Sequence, residues 1–209
     1  MPGLLTGFAS SATGPKGTLM PIDPAMLAKR VGTLTDLHPD QDPDPSRDLA
    51  ATLQQAVRAA KQLVDADAAG IMLADVDGRL RWASASDQRA QALEDNQEVF
   101  ASGPCAEAFT SGRPAVMHDA TVEQRWGEVA LTFVEVRIRS GLSVPVQLGG
   151  GPIGTLDVYA VDPRGWDDTE VRALQASARV VASLLGAAAK ASSPAPWPSS
   201  SGSRWTPGG

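Results

Sequence analysis

From residue 46 onward, apolar positions follow two rhythms that alternate along the chain. Leu49, Leu53, Val57, Ala60 and Val64 recur at three- and four-residue steps with no Gly or Pro between them. This predicts a helix over 47–64 with Ser46 as its cap. Asp65-Ala-Asp breaks that rhythm, and the apolar run Ala69-Gly-Ile-Met-Leu-Ala has the length of a buried strand. Asp77-Gly78 predicts a tight turn. On the return strand, period-two alternation puts Leu80, Trp82 and Ser84 on one face and Arg79, Arg81 and Ala83 on the other. A second helix is predicted from Asp87 to about Val99, with Ala90, Leu93, Gln97 and Phe100 on one side. Ser102-Gly-Pro stops it. Pro104 is a natural first residue for a short helix over Cys105–Ser111.

Pro114 to His118 reads as a strand. Val122 to Glu135 carries both signals: Trp126, Val129, Ala130 and Phe133 fit a helix face, while Phe133 to Ile138 also alternates like a strand. Helix or irregular cover is the favoured reading. In Gly141 to Leu148, the positions Leu142, Val144, Val146 and Leu148 alternate, and Pro145 suggests an edge or bulged position. Gly149-Gly-Gly is a hairpin turn, with Ile153 to Val161 as partner strand. Asp167 or Asp168 caps a last helix to about Ala189. Its Val171, Leu174, Ala178, Val181 and Leu185 step in heptads. That stripe fits packing on the sheet, and equally a homodimer built from the helices at 47–64 and 168–189.

The flanks differ. Residues 9–18 are small and polar, and a loose helix is predicted between Ile22 and Leu37, with Met26, Leu27, Val31 and Leu34 on one face. Asp40, Asp42 and Asp44 alternate as at the start of a calcium loop. Pro45 and Ala51 occupy its glycine and glutamate positions, so a solvated linker is the reading. Residues 191–209 are rich in Pro, Ser and Gly, with Trp197 and Trp205 read as exposed aromatics. The predicted organisation is a disordered extension and linker over 1–45, a folded domain over 46–190 and a disordered tail over 191–209.

Composition narrows the function classes. A chain of 209 residues with 20 Gly and 16 Pro suits one domain with irregular ends. Hydrophobic content of 43% with 5% aromatics requires a core of Ala, Val and Leu. A single Cys excludes a disulfide framework and a cysteine zinc site, and two distant His residues leave little for a transition metal. A net charge of −6 argues against nucleic-acid and anionic-membrane partners. The longest apolar stretch, Val180–Ala189, would rise about 15 Å as a helix against about 30 Å of hydrocarbon. The first basic side chain is Lys16, with no basic start and apolar run before it. A cytoplasmic location is expected.

Certain words in the sequence resemble a known family. They are Ala66-Asp-Ala-Ala-Gly-Ile-Met-Leu before Asp77-Gly78, Ala85-Ser-Asp, Leu93-Glu, and Gly103-Pro-Cys-Ala-Glu-Ala-Phe with Ser111-Gly-Arg-Pro. Arg125-Trp, Ser143-Val-Pro-Val, Gly154-Thr-Leu-Asp-Val-Tyr and Trp166-Asp-Asp complete the set. Over about residues 46–189 the chain resembles GAF domains, most closely those of actinobacterial GAF–ANTAR regulators. Met20-Pro-Ile-Asp-Pro is similar to the usual start of such proteins, which would make 1–19 an extension. The resemblance implies an α+β fold of the PAS/GAF/profilin kind. An antiparallel sheet of five or six strands would carry the terminal helices on one face and a helical insert over a pocket on the other. It also implies a noncatalytic sensor of a small molecule or of a partner protein. An ANTAR output would need roughly 50 further residues after 190, so RNA binding is not carried over, and a truncated remnant of such a regulator is an alternative.

The expected ligand-binding residues are Trp82 and Ser84 on the return strand, Leu93, Phe100, Cys105 and Phe109 in the insert, and Trp126 and Val129 in the cover, with Val99 and Phe133 beside them. They are mostly apolar, which suits a small hydrophobic or planar ligand, or a filled interior. No catalytic or metal-binding set stands out, no paired carboxylates are recognised, and the cofactor is unknown. Two residues carry the alternative of a cofactor- or redox-dependent sensor. Cys105 lies at a helix start that would lower its thiol pKa, and bilin-binding relatives carry their chromophore on a cysteine. No His flanks it, and a buried structural thiol is preferred. His118 could serve as a haem ligand, as in some gas-sensing relatives, but a lone His is more often a surface or rim residue. Relatives that reduce methionine sulfoxide need more than one cysteine, so that chemistry is not expected.

Overall fold

The computed structural model describes residues 45–191. The helix expected between Ile22 and Leu37, the acidic linker before residue 45 and the tail with Trp197 and Trp205 lie outside the described residues.

Helix α1 (Pro45–Leu63) begins one residue before the expected cap, so Ser46 lies inside it and Pro45 takes the first position. Leu53, Val57 and Ala60 are buried along its stripe, and so is Val64 in the turn just past its end. Strand β1 (Ala68–Ala74) and strand β2 (Leu80–Ala85) follow, joined by a turn. In that turn Asp75 accepts hydrogen bonds from the backbone N–H groups of Asp77 and Arg79, and Gly78 adopts φ +75°. Helix α2 (Gln88–Phe100) starts at Asp87, whose carboxylate accepts from the N–H groups of Arg89 and Ala90. Helix α3 is Pro104–Ser111 and strand β3 is Ala115–Met117. The ambiguous stretch resolves as helix α4 (Gly127–Glu135), closed by Arg137 at φ +60°. Strands β4 (Ser140–Leu148) and β5 (Gly151–Ala160) meet in a two-residue turn in which Gly149 and Gly150 have φ +65° and +96°. Only glycine takes both positions without strain. Helix α5 (Asp168–Ala191) starts with Asp167 accepting from the N–H groups of Thr169 and Glu170, while Glu170 accepts from the Asp167 N–H. This reciprocal arrangement is a capping box.

The five strands form one antiparallel sheet in the order β2-β1-β5-β4-β3. Pro145 pairs with Thr155 of β5, beyond the short β3, so β3 does not reach its outer side. One face of the sheet carries α1 and α5 over an apolar core. Leu174, Ala178, Val181 and Leu185 are buried in that core with Leu53 and Val57. The heptad stripe of α5 is therefore spent on packing within the chain. The other face is covered by α2, α3 and α4 over a second core with Leu93, Met117, Phe133 and Tyr159. This is the expected α+β architecture, with five strands. Among the described residues no helix is long and apolar enough to cross a membrane.

Candidate functional site

The period of two along β5 sends Leu156, Val158 and Ala160 into the α1/α5 core. It sends Thr155, Asp157 and Tyr159 to the opposite face. Asp157 pairs with Gly70 of β1 on one side and Ser143 of β4 on the other. These three residues form one rung across the middle of the sheet, under α2. Gly70 is there for space: a Cβ at that position would stand 2.0 Å from Glu94 Oε1. The absent side chain lets the carboxyl group of Glu94, on α2, lie against the sheet beside Asp157.

A chain of hydrogen bonds fixes these groups. The backbone N–H of Cys105 donates to Gln97 Oε1 at 3.1 Å, and Gln97 Nε2 donates to Tyr159 Oη at 3.1 Å. Tyr159 Oη donates to Glu94 Oε1 at 2.8 Å, and Thr155 Oγ1 donates to Asp157 Oδ2 at 2.8 Å. Phe133 meets the Tyr159 ring edge to face, with centroids 5.5 Å apart. Gly103, at φ +114°, allows the Gln97 amide to approach, since a Cβ there would lie 2.6 Å from Gln97 Oε1. Glu94, Gln97, Cys105, Ser143, Thr155, Asp157 and Tyr159 are all buried.

Three atoms in this cluster have no hydrogen-bond partner: Glu94 Oε2, Asp157 Oδ1 and Ser143 Oγ. Unpartnered buried polar atoms are costly and uncommon. Burial raises the pKa of Glu94 well above the carboxylate range, and the nearby charge of Asp157 adds to the rise. Burial pushes Asp157 up to about 7, against the lowering effect of two hydroxyls: that of Thr155, which is hydrogen-bonded to it, and that of Ser143, which is near it but beyond normal hydrogen-bond distance. Among the described residues no basic side chain acts on either carboxyl. Burial also raises the Cys105 thiol well above its ordinary range, and the charges of Asp157 and Glu94 push the same way. The helix start expected to lower this pKa is outweighed.

Outside this cluster, a cleft of about 590 Å³ opens between the β1–β2 turn, the end of α2 and α3. Leu80, Arg81, Val99, Ala106 and Phe109 line it, and so does Gln97. Gln97 thus belongs to both regions, as the wall between the surface cleft and the buried carboxyls.

The sequence-predicted residues divide. Leu93, Trp126 and Val129 are buried together with Phe133 in the apolar core under α2 and α4. The Arg125 guanidinium stacks 3.9 Å over the Trp126 ring. Cys105 lies within the polar cluster, and Phe109 and Val99 line the cleft. Phe100 is 41% exposed: the buried stripe of α2 keeps the expected Ala90, Leu93 and Gln97, but Glu94 joins it in place of Phe100. Trp82 and Ser84 do not share a face. The β1–β2 register slips between Ile71 and Met72, pairing Trp82 with Met72 and Ser84 with Ile71. This bulge adds one residue, Ala83, and turns Ser84 toward α1, where its hydroxyl donates to Gln54 Oε1 at 2.9 Å. His118 is exposed at the end of β3, with Nδ1 3.4 Å from the Arg164 carbonyl.

The expectation of no paired carboxylates is corrected by Glu94 and Asp157. Two signals for them stand in the sequence. Glu94 follows Ala90 by four residues on a helix whose neighbour Leu93 is core, and Asp157 interrupts an otherwise apolar strand. Among the described residues no cluster of His, Cys, Asp and Glu could hold a metal ion.

No curated protein matches the chain. Solved structures that resemble it share the fold at low identity. A GAF domain region from Geobacter sulfurreducens PCA is 21% identical with a TM-score of 0.56, covering 68% of this chain and 96% of that one. The blue-light absorbing PixJ GAF domain of Thermosynechococcus elongatus is 19% identical with a TM-score of 0.55, covering 70% and 89%. The type II free methionine-R-sulfoxide reductase of Thermoplasma acidophilum is 18% identical with a TM-score of 0.57, covering 69% and 96%. That last likeness corrects the expectation of a noncatalytic domain: the same fold serves an enzyme, so it does not exclude an enzymatic role. The family model described as "GAF domain" matches residues 46–185, two thirds of the chain, and on that match the protein belongs to the GAF domain family, whose members include sensor and signalling domains.

Proposed function

We propose that this GAF domain senses a small molecule held in the interior between the sheet and helices α2 and α3. The observation that carries this reading is the location of the three unpartnered atoms of Glu94, Ser143 and Asp157, all on one side of the sheet in one cluster. A core evolved only for packing has no use for two buried carboxyls without a cation. Binding would reach a partner through α1 and α5, which lie on the far side of the same strands. A homodimer through these helices would use their outer faces, where Leu63 and Val180 are the exposed large apolar side chains. The kinship with actinobacterial GAF–ANTAR regulators rests on the sequence words alone, above all Gly103-Pro-Cys and Ser143-Val-Pro-Val.

Native mass spectrometry of the protein purified from its own cells tests the reading directly. A mass above that of the chain, lost in Glu94→Gln, supports it, and an unliganded chain with no retained small molecule at any loading counts against it. An absorbance scan of the same sample separates a coloured cofactor from a colourless ligand. Burial of Cys105 and its raised pKa count against a thiolate-based attachment.

A further inference from the structure

The buried cluster narrows the chemistry of the ligand this interior can hold. Asp157 and Ser143 face each other across β4 and β5, and Glu94 lies over the adjoining Gly70. Each of the three presents one buried oxygen with no partner. The surrounding fixed donors are already committed: Tyr159 to Glu94 Oε1, Thr155 to Asp157 Oδ2, and the Cys105 N–H to Gln97. The free positions are thus two carboxyl oxygens and a hydroxyl, and once both carboxyls give up their protons the three together form an acceptor set. Among the described residues no Arg, Lys or His acts on either carboxyl.

Resting on the small-molecule reading, we infer that this site takes a primary alkylammonium group, with its three N–H donors directed at Glu94 Oε2, Asp157 Oδ1 and Ser143 Oγ. The ammonium is the one common organic group that offers three donors, no acceptor and a positive charge in the volume of a single heavy atom. Its carbon chain would run past Gln97 into the surface cleft, along Leu80, Val99 and Phe109. Gln97 is the residue that must move, because it lines the cleft and also holds Tyr159 over Glu94. Before binding, the carboxyls hold protons that burial keeps on them. The incoming ammonium replaces those protons as the source of positive charge, so binding releases protons to solvent.

Titration calorimetry on the full chain tests this with n-butylamine and 1,4-diaminobutane as probes, and n-butanol and butyrate as neutral and anionic counterparts. The expected result is saturable binding of the amines alone. In buffers of different ionisation enthalpy the apparent heat should change in the sense of proton release. Affinity should fall about tenfold or more in Glu94→Gln and in Asp157→Asn, each removing a charged acceptor. Ser143→Ala should weaken binding less. Thermal melts of each variant without ligand confirm that it folds. Saturable binding of butanol or butyrate that is lost in Glu94→Gln would overturn the ammonium assignment while leaving the interior site standing. Amine binding unaffected by either carboxyl substitution would place it elsewhere and overturn the assignment. Absence of binding by every probe, with an unliganded chain in native mass spectrometry, overturns the assignment and the small-molecule reading together. If native mass spectrometry instead retains a ligand without a basic nitrogen, only the ammonium assignment falls.

Discussion

The two faces of the sheet are built on opposite principles, although the same strands make both. Toward α1 and α5, strands β1, β4 and β5 present Ala69, Ile71, Leu73, Leu142, Val144, Val146, Leu156, Val158 and Ala160, and the helices answer with Leu53, Val57, Leu174 and Leu185. Toward α2 and α3 the same strands present Gly70, Ser143, Thr155, Asp157 and Tyr159, and the helices answer with Glu94 and Gln97. The first face is a stabilising core. The second retains buried acids without a countercharge, which a stability argument alone does not account for. Stability and recognition are thus divided between faces only one strand thick, so neighbouring residues should respond to substitution with opposite sign.

The sharpest break in this comparison is at Leu156 and Asp157. Leu156→Ala empties a fully buried position in the α1/α5 core and should destabilise the domain by about 2–5 kcal/mol. Asp157→Asn keeps the shape, removes a buried ionisable group and should raise the melting temperature at pH 8. Denaturant melts of the two variants check both signs. A loss of stability in Asp157→Asn comparable to that in Leu156→Ala would mean that the polar rung is structural.

Gly70 gives the next effect. A methyl group there collides with Glu94, so Gly70→Ala should cost about 1–3 kcal/mol. The cost should largely disappear when Glu94 is shortened to Ala in the same chain, because the colliding atoms are then gone. A double-mutant cycle in chemical denaturation measures this coupling, and strict additivity would show that Glu94 does not rest on Gly70.

The pH dependence follows from the same rung. Asp157 has its folded pKa raised to about 7 from an ordinary 3.8, so the folded state binds protons more tightly than the unfolded one. Its contribution to stability is fully present below about pH 4 and is lost as pH rises toward and through 7. Glu94, raised in the same direction, extends that loss. Thermal melts from pH 5 to pH 8 should therefore show a declining midpoint that flattens in Asp157→Asn. An unchanged slope in that variant would assign the decline to other groups.

What was legible in the sequence follows the same division. Periodicity marks the α1/α5 face well, because apolar side chains at three- and four-residue or two-residue spacing are themselves the reason those elements pack. Leu53, Val57, Leu142, Val144 and Leu174 were each expected on a buried stripe and are buried. The polar face was harder to see. A buried Glu and a solvated Glu have the same one-letter symbol, and only the partner surface distinguishes them. On α2 a rule that places apolar residues inside selected Phe100 and passed over Glu94, yet Phe100 is the exposed one. The bulge at Ala83 is not readable for a different reason. It belongs to the register between two strands, and neither strand alone encodes it.

The smallest expected effect compares two buried serines. Ser84 belongs to the expected ligand-binding set, but the bulge turns it to the α1 side, where it donates to Gln54. Ser143, outside that expected set, lies on the rung with no hydrogen-bond partner at normal distance. Ser84→Ala removes a made hydrogen bond and leaves Gln54 Oε1 without that donor, which should cost about 1 kcal/mol. Ser143→Ala removes a buried hydroxyl with no partner at normal hydrogen-bond distance, losing only its weaker influence on the neighbouring Asp157, so stability should stay within about 0.5 kcal/mol of the parent. Equilibrium denaturation resolves this difference if both variants are measured alongside the parent. An equal loss at both positions would mean that Ser143 is bonded in solution, by water or by a retained ligand. Repeating the Ser143→Ala measurement after unfolding and refolding in the absence of small molecules separates these two: a loss that persists belongs to water, and one that vanishes belongs to the ligand.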